Sequence, residues 1–420
     1  MGYIPMSSDS SDQAGKSAPP RDPGVPEVER RIRELDRWTL ERQKELTAIP
    51  APPFGEAPRA RRMAELFEEI GLSAVHTDEE GNVLGELPHS AATGDRGADA
   101  PPAPLILSAH LDTVFPEGTD TEPREDGEVI RAPGITDDGR GLAALLTLAR
   151  VFRESAPPLP FPLLFAATVG EEGSGNLRGV RHVFREDGGR KNARAFISLD
   201  GVGTDRIITR GIGSLRLRVE VEGPGGHSWA DWGAPNPIHL LARVVTQAQG
   251  LPRGREEKAT LTVARWGGGK SINAIPQEAW IEVDLRSESP RVLDSMEEGF
   301  RGFVEGARSS ATSGSRDRDP PPPPLELRIR ELGRRPAGST PSDAPLVRAA
   351  MEATRALGND PLLLASSTDA NIPMSLGIPA ITMGAGGRGG GVHTLEEWYR
   401  NDEGPEGILR ALLTVLLLAT

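Results

Sequence analysis

The chain contains no cysteine. That excludes disulfide cross-links, thiolate metal sites and a cysteine nucleophile, and leaves His, Asp and Glu as the side chains able to hold a metal. A positive excess is also missing. The 48 Lys and Arg stand against 61 Asp and Glu, a net charge of -13, so neither nucleic acid nor an anionic membrane is expected as a partner. No apolar run is long enough to cross a bilayer. The longest, "ALLTVLLLA" near the end of the chain, is predicted to be a buried helix. The first residues, "MGYIPMSSDSSDQAGKSAPPRDPGVPE", lack the basic start and apolar centre of a secretion signal. Gly2 is also without the later Ser or Thr of an acylation motif. The expectation is a soluble, cytoplasmic protein with a disordered tail over residues 1–26.

What is present exceeds one ordinary domain: 420 residues predict two packed units, or one unit with a large insertion. From Glu27 to about Leu72, charged and apolar residues alternate with helical period around "IPAPPFGE", which predicts two helices flanking a proline-rich turn. Short apolar runs follow. "PLILSAHLD", "FPLLFAATVGEE" and "ARAFISLDG" read as buried strands, with "GRGLAALLTLARVFRE" a helix between the first two. From about Ser214 to Arg334 the order becomes β-α-β-β-α-β, the ferredoxin-like sequence of elements. After it, "DAPLVRAAMEATRALG" and "IPAITMGAG" resume the earlier helix and buried-strand style. The predicted fold class is therefore α/β, with one discontinuous domain (residues 27–213 and 335–420) and a smaller unit inserted at 214–334. "HSAATGDRGADAPPAP" and "SSATSGSRDRDPPPPP" are predicted surface loops of low complexity.

Chemistry gathers at the ends of the buried strands. "LSAHLDTV" sets His110 and Asp112 two residues apart, so that both leave the same face. This suits a metal ligand and an acceptor that orients its ring, although a lone His-x-Asp is ordinarily just a satisfied pair. "APGITDDGRG" places Asp137 and Asp138 in a turn before a helix, where an N-cap is the usual role. "TVGEEGSGN" ends a strand in Glu171 and Glu172, "SLDGVG" ends one in Asp200, and "GGGVHTLEEW" puts His393 in a glycine-rich loop. Acids recurring at successive buried strand ends are costly without a cation. His110, Asp137, Glu172, Asp200 and His393 are more ligands than one ion needs, and fit two divalent metals, most simply zinc, sharing a carboxylate. The paired acids then divide the work. One holds an ion while the other is free to move a proton.

These motifs resemble the di-zinc exopeptidases and amidohydrolases that include peptidase T, glutamate carboxypeptidase, aminoacylase and acetylornithine deacetylase. The likeness covers nearly the whole chain after about Pro26. It implies His110 as a zinc ligand oriented by Asp112, Asp137 as the bridging carboxylate in preference to Asp138, Glu171 as general base and Glu172 as a ligand. Asp200 and His393 would complete the two sites. The inserted unit would serve as lid and dimerisation domain, and His227 of "GGHS" would reach a neighbouring subunit's site and stabilise the oxyanion. "GGGKSINAIPQEAWIEVDLRS" implies Asn273 and Arg286 as substrate contacts, a guanidinium suiting a terminal carboxylate. Thr368, Asp369 and Arg388 lie in segments that face substrate in relatives.

Aspartate at position 200, where carboxypeptidase-like and deacetylase-like relatives often carry glutamate, tilts the resemblance toward peptidase T-like aminopeptidases acting on small peptides. N-acyl-amino-acid amidohydrolase or carboxypeptidase activity is the alternative. A nucleotide hydrolase is disfavoured, because the P-loop pattern ending in "GGGKS" needs glycine at 264 and Ala264 stands there. A non-catalytic binding protein on this fold would be expected to have lost a ligand or the base, and none is missing.

Overall fold

The computed structural model describes residues 25–89, 102–187, 189–251, 258–313 and 323–420. Nearly all of the predicted tail, most of the first low-complexity loop and residues 314–322 of the second fall outside them, whereas residues 309–313, expected in a loop, instead continue helix Pro290–Ser313. At the centre is a mixed nine-stranded sheet. Its order is Ser73–Thr77, Val83–Leu87, Leu163–Thr168, Leu105–His110, Ala195–Leu199, Ala380–Met383, Arg206–Gly211 and Gly338–Ser339, with Leu362–Ser366 also paired to Arg206–Gly211. The four apolar runs seen in the sequence are the four neighbouring central strands, and all run parallel.

The reason for their continuous hydrophobicity is burial on both faces. Leu105, Leu107 and Ala109 feed the core on one side, and Ile106 feeds the core on the other. Leu163, Phe165 and Ala167 alternate in the same way with Leu164 and Ala166. Helix Gly139–Glu154 is buried along most of its length and packs on Leu105–His110. Helices Asp36–Ala48, Ala57–Ile70 and Gly404–Ala419 lie against it. No described helix is long and apolar enough to cross a membrane.

The N-terminal region holds three helices where two were expected. Val25–Glu34 and Asp36–Ala48 are separated only at Leu35, whose φ of -83° and ψ of -3° stay near helical values. The break is a bend, invisible to a period count because the backbone never leaves the helical region.

Residues 213–335 build a second sheet with its own core. Its order is Ala259–Gly268, Glu278–Ser287, Gly213–Glu222 and Glu326–Arg335, all antiparallel, with helices Pro237–Ala248 and Pro290–Ser313 against one face. Here burial alternates strictly. Leu215, Leu217, Val219 and Val221 face the helices, while Arg216, Arg218 and Glu220 face away. A two-stranded ribbon, Gly226–His227 with Ala274–Ile275, extends from this part of the chain. A further small sheet, Arg124–Asp126, Val129–Arg131, Trp398–Arg400 and Arg388–Gly390, was not foreseen, because its strands are too short and polar to show a period.

Candidate metal centre

Parallel strands deliver whatever follows them to one edge of the sheet. His110 closes Leu105–His110, Glu171 and Glu172 follow Leu163–Thr168, and Asp200 follows Ala195–Leu199. Of the predicted ligands, His110, Asp137 and Glu172 have ligand atoms within 4.8 Å of one another, whereas Asp200 groups with His110 and with Asp138, which was not among them.

Asp137 sits between the two imidazoles. Its Oδ1 is 2.9 Å from His110 Nε2 and its Oδ2 is 3.0 Å from His393 Nε2. His393 Nε2 is also 2.9 Å from Glu172 Oε1. To bring its ring there, His393 adopts φ 64°, a left-handed conformation that costs a non-glycine residue about 1 kcal/mol or more. The peptide bond between Asp137 and Asp138 is cis.

The neighbouring acid has another task. Asp138 is fully buried and accepts from the Gly141 and His110 amides, each at 3.0 Å, so it caps helix Gly139–Glu154 and pins the end of the His110 strand. A Cβ on Gly141 would fall 2.1 Å from the Asp138 carboxylate, so only glycine fits. Asp112 touches His110 through its backbone and has further partners. The His110 Nδ1 partner is the backbone carbonyl of Asp112, at 3.0 Å, while the Asp112 carboxylate lies 3.7 Å from that nitrogen. That carboxylate instead accepts the amides of Glu171, at 2.9 Å, and Glu172, at 2.8 Å. It fixes the backbone of the paired acids.

Two residues not singled out in the sequence join the centre. Glu397 is fully buried and accepts from the amides of Gly134 and Thr136, each at 2.8 Å, from Asp137 N at 3.1 Å, and from the Thr136 hydroxyl. It ties the His393 loop to the Asp137 turn. Its position four residues after His393 was the available signal. Arg335 donates to Glu171 Oε1 at 3.2 Å and to the Glu171 carbonyl. Nothing in "GRRPAG" announces that partner.

Electrostatics follow from crowding acids in a buried place. Burial, then the charge of Asp137, pushes the Asp200 carboxyl up to about 7. Burial also pushes Glu171 well above the carboxylate range, with Arg335 opposing and Glu172 reinforcing the shift. Against the effect of burial, His110 and His393 hold Asp137 below the usual range. Hydrogen bonds to Asp137 and Glu172 raise His393 to about 10. This donor set fits divalent cations. Two imidazoles and several carboxylates converge, and Asp137 presents one oxygen to each imidazole, as a carboxylate serving two positive centres would.

Of the remaining predicted residues, Thr368 and Asp369 border the centre and the others lie away from it. His227 and Asn273 are exposed on and beside the two-stranded ribbon, where Ser228 N donates to the Asn273 carbonyl. His227 Nδ1 accepts from Trp229 N, at 3.2 Å, and from Ala230 N, at 3.4 Å, which places the proton of a neutral ring on Nε2. Arg286 is paired with Asp284 at 2.7 Å, on the face of the second sheet away from its helices. Thr368 is buried and bonded to Thr382 at 2.7 Å. Asp369 is buried, accepts from Thr168 at 2.5 Å, and its Oδ1 has no partner. Arg388 is largely exposed, 3.8 Å from Asp402.

The family model described as Peptidase family M20/M25/M40 matches residues 106–416. The chain belongs to this family. Among curated relatives, the cytosol non-specific dipeptidase of Escherichia coli (strain K12) is 26% identical over 276 residues, covering 60% of this chain and 54% of that protein. The match thus spans little more than half of the relative's length. Among solved structures, aminopeptidase PepT from Bacillus cereus ATCC 10987 superposes with a TM-score of 0.72 at 21% identity, over 93% of this chain and 99% of that one. The YxeP protein of Bacillus subtilis, described as a dinuclear metal binding peptidase from the M20 family, gives a TM-score of 0.64 at 17% identity, over 92% and 99%. Both share the fold, a mixed sheet flanked by helices.

Proposed function

We propose that this M20-family chain is a dinuclear metal exopeptidase, an aminopeptidase that removes a residue from small peptides such as tripeptides. The observation that supports the reading is the different placement of the paired acids. Glu172 meets His393 in the cluster, whereas Glu171, next in line, makes no hydrogen bond to either histidine among the described residues. His110, Asp137, Glu172, Asp200 and His393 would hold the ions, zinc in our reading. Bound there, two divalent cations supply Lewis acidity toward a carbonyl oxygen and an attacking water.

Glu171 takes the proton from that water and returns it to the leaving amine. Asp112 keeps Glu171 and Glu172 in place through their amides and holds the His110 ring through its carbonyl. Residues 27–213 and 335–420 form the catalytic part. Residues 214–334 act as a lid and join two copies into a homodimer, with His227 Nε2 donating to the oxyanion in a partner's site. Asn273, Arg286, Thr368, Asp369 and Arg388 are the proposed substrate contacts, and the protein works in the cytoplasm.

Product analysis by mass spectrometry tests this reading. The substrates are tripeptides with free or blocked termini, together with N-acyl amino acids, incubated with zinc-loaded protein. Release of the first residue only from peptides with a free amine is the expected result. Cleavage of blocked or acylated substrates that needs a free carboxylate would establish the carboxypeptidase or amidohydrolase alternative instead.

A further inference from the structure

The loop that carries Glu171 and Glu172 is held from two directions. Asp112 grips its amides from the large sheet. The second sheet grips it from the other side, through the two strands by which the chain enters and leaves that sheet. Arg216 donates to the Gly173 carbonyl at 2.6 Å, and Arg334 N donates to Asn176 Oδ1 at 2.9 Å. Arg335 bonds both the carboxylate and the carbonyl of Glu171. Ser214 and Arg335 are register partners, so the entry and exit strands pair beside this loop.

Arg335 is 5% exposed. Its Nη1 is shared between Glu171 Oε1 and Ser367 Oγ, each at 3.2 Å, and its Nε has no partner. Holding one carboxylate oxygen and the carbonyl of the same residue restricts the side-chain torsions of Glu171. It leaves Oε2 as the oxygen that no described residue holds.

We propose that Arg335 is a positioning residue for Glu171: it selects the carboxylate orientation used for proton transfer, and does so from the strand by which the chain leaves the second sheet. This rests on the reading of Glu171 as the base. A purely structural ion pair would not act through Glu171. A guanidinium that instead binds the substrate's carboxylate would act on substrate affinity.

The test is a double-mutant cycle on the metal-loaded, full-length protein with a free tripeptide, reading kcat, KM and bound metal. Arg335→Met keeps the bulk of the side chain and removes every donor. The expected result is a loss of about 100-fold in kcat, the scale of an ångström misplacement of a reacting group. KM should stay within about threefold and metal content should be unchanged. In the Glu171→Gln background the same change should cost nothing further.

An equal loss in that background, or a loss confined to KM, overturns the proposal while the base assignment stands. A nearly fully active Glu171→Gln protein overturns the base assignment and the proposal with it. Should Arg335→Met fail to fold, Ser367→Ala removes only the second anchor of Nη1. A several-fold fall in kcat at constant KM supports the proposal, and an unchanged kcat overturns it.

Discussion

The edge of the large sheet and the open face of the second sheet both carry acids and bases, and treat them in opposite ways. On the second sheet, Arg218 lies between Glu220 at 2.6 Å and Glu282 at 2.7 Å and stacks on Trp280 at 3.9 Å, while Arg265 meets the other oxygen of Glu282 at 3.0 Å. Charges there are matched on their own face, next to water, and need nothing more. At the edge of the large sheet, Asp137, Glu171, Glu172, Asp200 and Asp369 crowd near His110, and Asp137 and Glu172 also meet His393. That surplus of buried negative charge is favourable only with protons or cations present. The contrast separates a site from a surface: both are charged, but only one is left unbalanced.

One substitution made in both regions breaks or confirms the contrast. Glu171→Gln should lower kcat by about 1,000-fold, within the range for loss of general base catalysis, with metal content intact by elemental mass spectrometry. Near-normal turnover would remove the distinction. Next in size is His393→Ala, expected to retain one fewer ion per chain after dialysis. Full occupancy would remove His393 from the ligand set.

A smaller effect concerns pH in the metal-free protein. Asp200, raised from its ordinary 3.8 to about 7, and His393, raised from 6.5 to about 10, both bind protons more tightly folded than unfolded. The stability each contributes is complete below its ordinary value and is lost as pH rises through the folded one. Asp137, held low, is ionised in both states between pH 5 and 8 and adds no slope there. Chelated protein should therefore lose stability from pH 5 to 8, read as a falling Tm, mostly through Asp200, since solvent screening weakens the contribution of half-exposed His393. Metal-loaded protein should show a flatter profile. A flat profile in the chelated protein would mean that the acids are not unbalanced.

Smallest is Glu282→Gln on the second sheet, expected to cost under about 1 kcal/mol in denaturant unfolding. A larger cost would show that the open face is not the self-sufficient surface described above.

Much of this was legible in local pattern. The central strands declared themselves because burial on both faces demands unbroken apolar residues; His110, Glu172 and Asp200 stood out as polar groups in or just beyond such runs, and His393 in a glycine-rich loop further on. The β-α-β-β-α-β order from Ser214 to Arg334 was readable because a half-buried antiparallel sheet alternates along each strand. Less was readable where period is short or absent, as in Ser73–Thr77, Arg206–Gly211 and the small sheet bearing Trp398–Arg400.

By itself, then, the sequence determined which strands would be buried and which ionisable residues would end them, since both depend on neighbours along the chain. Only the tertiary structure decided that Asp137 faces both imidazoles while Asp138 caps a helix, that Asp112 grips the Glu171 and Glu172 amides, and that Glu397 and Arg335 complete the centre. The physical reason is that hydrogen bonds reach about 3 Å through space and take no account of sequence separation. Arg335 and Glu171 are 164 positions apart, and no local pattern encodes a partner at that distance.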